Sequence, residues 1–528
     1  MQVPADTVVD YIVVGAGSAG SVIANKLSEN GRYQVLLLEQ GKPDSSVLLS
    51  MPKGFGAVLA GEEYVARYPV CRPQGEPTSE VWLRGKTLGG SSAVNGMIWA
   101  RPRPEGMARL AKAGGEAWAW HNIEPLLDEL DGGGSGPGII KVSTHARHLG
   151  IVEAFVGAAA SAGLARRQGI RDKAQEEVAY PFYNIDTRGR RCSAATGFLK
   201  GARKRPNLSV ETAVRVDRIV FDGGRAHALL AERHGHRLGF SARREIILCA
   251  GALESPQILQ RSGIGPRAVL DAAGIPVVCE REGVGRNLRE HFLLGLNFQV
   301  KSTRDSENRE YAGLSLVRNL ARYFLTRKGP MAQSPCHAVA SLASGEAGAS
   351  ADIQLMFNPF SRKGQGFDTV PGVSIVSYPV YPESSGEVSI TGADCNNRPR
   401  IVPNYLSSEK DCRAALAGVR GVRRIAACAP LVSRFVGESA QSVDARTDAD
   451  ILQLYRSSGM PGFHAVGTCA MGSTPSAVVD ARARVLGVEG VRVVDASIFP
   501  EMLVGITNAS IMVVAMRAAE LILEDAER

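Results

Sequence analysis

The chain of 528 residues has nine cysteines, at 71, 192, 249, 279, 336, 395, 412, 428 and 469, and no Cys-x-x-Cys pair among them. An odd count without paired spacing speaks against a zinc site and a disulfide framework, and fits reduced thiols in a cytoplasmic protein. Long apolar runs are missing too. The nearest candidate, Ile511 to Leu523, is broken by Arg517 and Glu520 and reads as a buried amphipathic helix, so no integral membrane segment is expected. The N-terminus lacks a basic stretch followed by an apolar one, so no leader is expected. Basic residues exceed acidic ones, 61 to 53, but they are scattered, and the tightest cluster, Arg203-Lys204-Arg205, stops at Pro206. With no basic stripe and only 6% aromatics, no nucleic-acid partner is expected. No internal repeat is evident.

What the chain has is glycine, 58 residues of it, and a chain length that points to two structural domains. The most pointed use is Asp10-Tyr-Ile-Val-Val-Gly15-Ala-Gly17-Ser-Ala-Gly20, closing at Leu36-Leu-Leu-Glu39. A buried strand runs into three glycines at fingerprint spacing, an amphipathic helix follows, and a second strand ends on an acid nineteen residues after Gly20. Gly15 allows the tight turn, Gly17 lets a pyrophosphate approach the backbone, and Gly20 lets the helix pack on the sheet, with the phosphates at the helix N-terminus. Glu39 is placed to bond a ribose hydroxyl. This pattern predicts a dinucleotide site and leaves open which dinucleotide it holds.

Further along, Gly132 to Gly138 is a flexible loop by composition and Val152 to Ala165 is helical. A β-rich part begins at Asn207 and ends in the apolar strand Glu245 to Gly251, which enters a helix with Ser255-Pro256 in its first turn. Gly372 to Tyr378 and Gly386 to Ile390 alternate like strands of an antiparallel sheet, and Ala414 to Ala427 is helical. Val491 to Asp495 then resumes the short buried-strand pattern of the N-terminus, which makes the nucleotide domain discontinuous.

Four separated blocks resemble the glucose-methanol-choline (GMC) oxidoreductases: the fingerprint, Arg84-Gly-Lys-Thr-Leu-Gly-Gly-Ser-Ser-Ala-Val-Asn95, Gly251-Ala-Leu-Glu-Ser-Pro256 with Ser262 to Pro266, and Phe463-His464-Ala-Val-Gly-Thr468 with Asp495-Ala-Ser497 and Asn508. The resemblance implies an α/β architecture, a Rossmann-like FAD-binding domain (1–150, 200–300 and 461–528) with a discontinuous α+β substrate domain on an antiparallel sheet (151–199 and 301–460). It places FAD on Gly15, Gly17, Ser18, Ala19, Gly20 and Glu39, with Val214 at the adenine and Gly90, Asn95, Gly96, Met97, Ile98, Asp495 and Ala496 along the rest. Gly89-Gly90-Ser91-Ser92 reads by itself as a nest-like approach of backbone amides to a flat or anionic ligand, or plainly as a turn and helix cap. Members that link flavin covalently carry histidine where this chain has Val94, so the FAD is expected to be noncovalent. Val284 to His291 resembles another block, with Glu290 in place of the usual aspartate.

The resemblance makes His464 the catalytic base. A neutral imidazole takes a proton near pH 7. For the other eight histidines a surface or satisfied-core role is expected. Asn508, at the position where relatives carry asparagine or histidine, is expected to orient the substrate oxygen, or else to cap the helix that follows. The implied reaction is oxidation of a primary alcohol to the aldehyde by hydride transfer to flavin N5, with O2 as acceptor. Met97 and Phe463 make an apolar wall, with His464 and Asn508 beside it, suited to an aromatic or furan-type hydroxymethyl compound. The rivals are a dehydrogenase passing electrons to a quinone or another carrier, and a hydroxynitrile lyase-like enzyme without net redox chemistry.

Overall fold

A computed structural model of the chain describes residues 7–72, 77–133, 137–144, 149–169, 176–345, 351–363 and 366–528. Part of the expected glycine loop, residues 134–136, lies outside the described residues.

The N-terminal strand, Thr7–Val14, is apolar and buried through Tyr11 to Val14, as a central parallel strand must be. It pairs in parallel with Val35–Leu38 on one side and His236–Leu248 on the other. Val35–Leu38 passes the sheet on to Leu208–Glu211, while Val491–Val493 adds in parallel to the end of His236–Leu248. The latter strand is longer than the expected Glu245 to Gly251. Its first half pairs antiparallel with Arg225–Arg233, so it alternates polar and apolar residues there and shows a buried run only beyond Glu245. Arg215–Asp222 completes seven strands. The helices Ser18–Ser28 and Asn508–Glu527 pack on this sheet, with Val22, Ile23, Met512 and Met516 fully buried.

The helix after His236–Leu248 begins at Gly251 and runs to Arg261, so Pro256 lies inside it rather than in its first turn. Proline has no amide proton for the carbonyl four residues back, here that of Ala252. The hydroxyl of Thr468 donates to that carbonyl instead, at 2.7 Å. This hydrogen bond lets the proline sit in the helix without leaving a buried carbonyl dry.

The second sheet has eight strands, ordered Phe435–Glu438, Phe292–Val300, Gly372–Pro379, Ile353–Asn358, Ala338–Leu342, Glu177–Tyr180 and Ala165–Gln168, with Met460–Pro461 paired to Phe292–Val300. Its pairings are antiparallel except the last in that order. Phe292–Val300 belongs wholly to this sheet, so the change of sheet falls before residue 292, earlier than the expected boundary at 300. The helices Gly150–Ser161 and Glu409–Ala426 cover one face, burying Phe155, Leu355, Ile375 and Val419. The other face carries Val339, Met356, Val376 and Tyr378. Among the described residues no helix is long and apolar enough to cross a membrane.

Candidate active site

The fingerprint glycines have three different steric reasons. Gly15 has φ of 96°, and a Cβ on it would lie 2.7 Å from the carbonyl oxygen of Cys249. A Cβ on Gly20 would lie 1.8 Å from the Gly15 carbonyl oxygen, so helix and turn fit only without one. Around Gly17 the protein leaves space: its Cβ would meet nothing nearer than Gly90 Cα at 4.0 Å. That opening, beside the N-terminus of Ser18–Ser28, is what a pyrophosphate requires. Gly90 is less free, with φ of 51° and a Cβ position 2.7 Å from Gly17 Cα. The two glycine loops therefore pack backbone to backbone, joined by the Gly89 amide donating to Ala16 O at 2.7 Å.

Glu39 follows Val35–Leu38 and is buried. Its Oε2 accepts from the Ala16 amide at 2.9 Å and its Oε1 from the Gly41 amide at 2.8 Å. Burial pushes its carboxyl up to about 7. The carboxylate thus shapes the turn itself, and each oxygen keeps a lone pair for a ribose hydroxyl. Its carbonyl accepts from the Val214 amide at 2.9 Å, which fixes Val214 beside the same end of the sheet.

At the other end, Asn95 Oδ1 accepts from the Met97 amide at 3.1 Å and from Arg191 Nη1 at 2.7 Å. Arg191 also donates to Leu49 O, and burial lowers its guanidinium to about 9. No sequence motif had singled Arg191 out. Met97 has φ of 65°, and its carbonyl accepts from the Asn184 amide. The Gly96 carbonyl accepts from Ser334 Oγ at 2.7 Å, and among the described residues a Cβ on Gly96 would touch only Pro335, at an ordinary 3.5 Å. Among the described residues no protein atom demands this glycine. Met97 and Ile98 share an apolar cluster with Cys336, Val339 and Ile506, with Met356 against it. Val94 is buried among Ala93, Leu49 and Val65.

His464 sits on an irregular loop, and Nδ1 of its ring lies 2.9 Å from Nδ1 of His291. Nε2 of His291 lies 2.9 Å from the Val380 carbonyl oxygen, and its ring packs 4.8 Å from that of Tyr378. Oε1 of Glu290 accepts the backbone amides of both histidines, at 2.6 Å from His464 and 2.9 Å from His291. Arg84 stands 3.6 Å from Glu290 and donates to Phe463 O at 2.6 Å. Desolvation lowers His464 well below the usual histidine range, helped by His291 and Arg84, and lowers His291 to about 4. Burial raises Glu290 to about 7. His291 is thus buried but not merely core: it contacts the expected base. The flagged block at 284–291 was the available signal, but only folding brings it against His464.

Asn508 does not cap its helix. Thr507 holds the N-cap position, and the Asn508 Oδ1 accepts from Ser18 Oγ at 2.9 Å. Its Nδ2, buried, has no partner among the described residues, which leaves a donor for a substrate oxygen. Asp495 is used by the scaffold: it accepts from the Gly251 amide, from Ser255 Oγ and from the Ser497 amide. The adjoining Ala496 carbonyl accepts from the Gly467 amide at 3.3 Å.

Two family models described as GMC oxidoreductase match residues 9–293 and 382–515. The chain belongs to the GMC oxidoreductases. It is 34% identical to an oxygen-dependent choline dehydrogenase of Ectopseudomonas mendocina (strain ymp), over 97% of this chain and 93% of that one. Among solved structures it is similar to pyridoxine 4-oxidase from Mesorbium loti, with a TM-score of 0.86, 28% identity and coverage of 97% and 98%. A fungal aryl-alcohol oxidase shares the fold, with a TM-score of 0.81 at 21% identity, over 98% of this chain and 99% of that one. This GMC oxidoreductase is therefore an FAD-dependent enzyme acting on the CH–OH group of an alcohol. The open space at Gly17 and the unpartnered donor of Asn508 fit such a cofactor and its substrate.

Proposed function

We propose that the enzyme oxidises the primary alcohol of a neutral, flat hydroxymethyl compound, aromatic or furan-like, to its aldehyde, with O2 as acceptor and His464 as base. The observation that carries the reading is His464 itself, a desolvated imidazole engaged through Nδ1, whose free edge is Nε2. Gly15, Gly17, Ser18, Ala19, Gly20, Glu39 and Val214 would hold the adenine half of the cofactor, and Gly90, Asn95, Gly96, Met97, Ile98, Asp495 and Ala496 the remainder. When bound, FAD supplies the acceptor for two electrons. The chain supplies the rest: Nε2 of His464 takes the hydroxyl proton, Nδ2 of Asn508 donates to the substrate oxygen as it becomes negative, and both fix its orientation.

The apolar cluster of Met97, Val339, Met356 and Ile506 supports an uncharged substrate. Choline, named in the curated relatives, is the rival, since a cationic alcohol finds aromatic partners such as Phe463. Anaerobic stopped-flow reduction by aryl, furan, pyridine and aliphatic alcohols and by choline, followed by exposure to oxygen, tests the reading. Fast reduction by the aryl or furan members and rapid reoxidation with peroxide are expected. Preference for choline sinks the substrate assignment, and reoxidation only by a quinone sinks the oxidase assignment.

A further inference from the structure

The geometry points to the dipeptide Glu290-His291 as the positioning unit that holds His464 in the one tautomer able to act as a base, the form with hydrogen on Nδ1 and a lone pair on Nε2. Complete burial keeps His291 neutral, and the hydrogen bonds then fix the tautomers. A peptide carbonyl only accepts, so the 2.9 Å contact from His291 Nε2 to Val380 O places a proton on that nitrogen. A neutral His291 then has a bare Nδ1, which accepts. The 2.9 Å contact between the two Nδ1 atoms needs one hydrogen, and it must come from His464. His464 Nε2 is left with its lone pair. His291 is enclosed completely, beside Tyr378, and Arg84 and Glu290 are the charged groups packed against the pair. Glu290 completes the arrangement, because one carboxylate oxygen holds the backbone amides of both histidines and so keeps the two rings in register. A Cβ on Gly462 would come within 3.0 Å of His464 Nδ1 and 2.9 Å of His291 Cβ, so the contact also needs a glycine there.

The inference rests on His464 being the base, and its test separates the two. In the resting holoenzyme, nitrogen-15 NMR of labelled histidine reads the tautomer without turnover. Expected is a protonated Nδ1 and bare Nε2 on His464, assigned by its loss in His464→Gln. In His291→Leu the signal should become a tautomer mixture, and anaerobic flavin reduction at saturating alcohol should slow by on the order of 10²-fold while substrate affinity changes little. His291→Asn, which restores an acceptor near the lost Nδ1, should recover most of that rate, with the flavin spectrum confirming a folded, loaded protein in each case. A proton on His464 Nε2 in the parent overturns the proposal, and so does His291→Leu reducing at the parent rate or His291→Asn staying as slow as the leucine variant. Unimpaired reduction in His464→Ala would instead remove the base assignment and leave the tautomer result standing.

Discussion

Gly90 is held to a backbone-only residue by its neighbour rather than by solvent or turn type alone. Gly90→Ala places a methyl group 2.7 Å from Gly17 Cα at a φ of 51°, so the two loops must part. The expected product folds but retains FAD poorly, read from the ratio of flavin to protein absorbance. The chemistry side of the site makes its own demands. His464→Ala should slow anaerobic flavin reduction by about 10²- to 10⁴-fold. Asn508→Ala, which removes the unpartnered Nδ2, should cost about 10²-fold in the same step without loss of cofactor. Phe463 and Met97, both expected at the substrate, have φ of 61° and 65°. Left-handed conformations of bulky residues cluster where function constrains the backbone. Phe463→Gly should melt no lower than the parent and yet oxidise its alcohol less efficiently, because relief of strain and loss of the wall act in opposite directions.

At the scale of elements, the legible parts are those with local rules. Strand, turn, helix and acid of the first forty residues could be read because their spacing is local: Gly20 answers to the Gly15 carbonyl and Glu39 to the Ala16 and Gly41 amides. The helix at Gly251–Arg261 was misread at its start, because what makes Pro256 tolerable inside it is a hydroxyl 216 residues beyond Ala252 in sequence. His291 and Arg191 were hidden for the same reason: their partners, His464 and Asn95, are joined to them by tertiary structure only. The Thr468 bond can be tested directly. Thr468→Val keeps the shape and leaves the Ala252 carbonyl buried and unpaired, which should cost about 1–3 kcal/mol in denaturant unfolding, while Thr468→Ser should restore most of it.

The whole molecule closes on itself. Ser18, in the first helix, bonds Asn508, in the last. The alternating sheet of the middle of the chain rests against that closure through Tyr378, whose hydroxyl is bonded to Gln354 and lies 3.1 Å from Gly505 O. This packing sets how the fold responds to acid. His291 titrates at about 4 when folded and near 6.5 when unfolded, so between those values the unfolded chain binds more protons. The stabilisation is present above pH 6.5 and lost as pH falls through 4. Glu39 and Glu290, raised to about 7, pull the other way, losing stability as pH rises from 4.5 through 7. A difference measurement isolates the histidine: the stability of the parent minus that of His291→Asn should shrink by about 3 kcal/mol from pH 6.5 to pH 4.

The contact of Gly17 with Gly90 also has a consequence for descent. Gly90 cannot acquire a side chain while Gly17 stands still, so a lineage that drifts at Gly90 must shift the Gly17 turn or give up its cofactor. Although the two lie seventy-three residues apart, the constraint runs one way, because a Cβ on Gly17 would lie 4.0 Å from Gly90 Cα. A deep mutational scan with flavin retention as the selection should find Gly90 intolerant even of alanine, rescued by little except movement of the Gly17 loop.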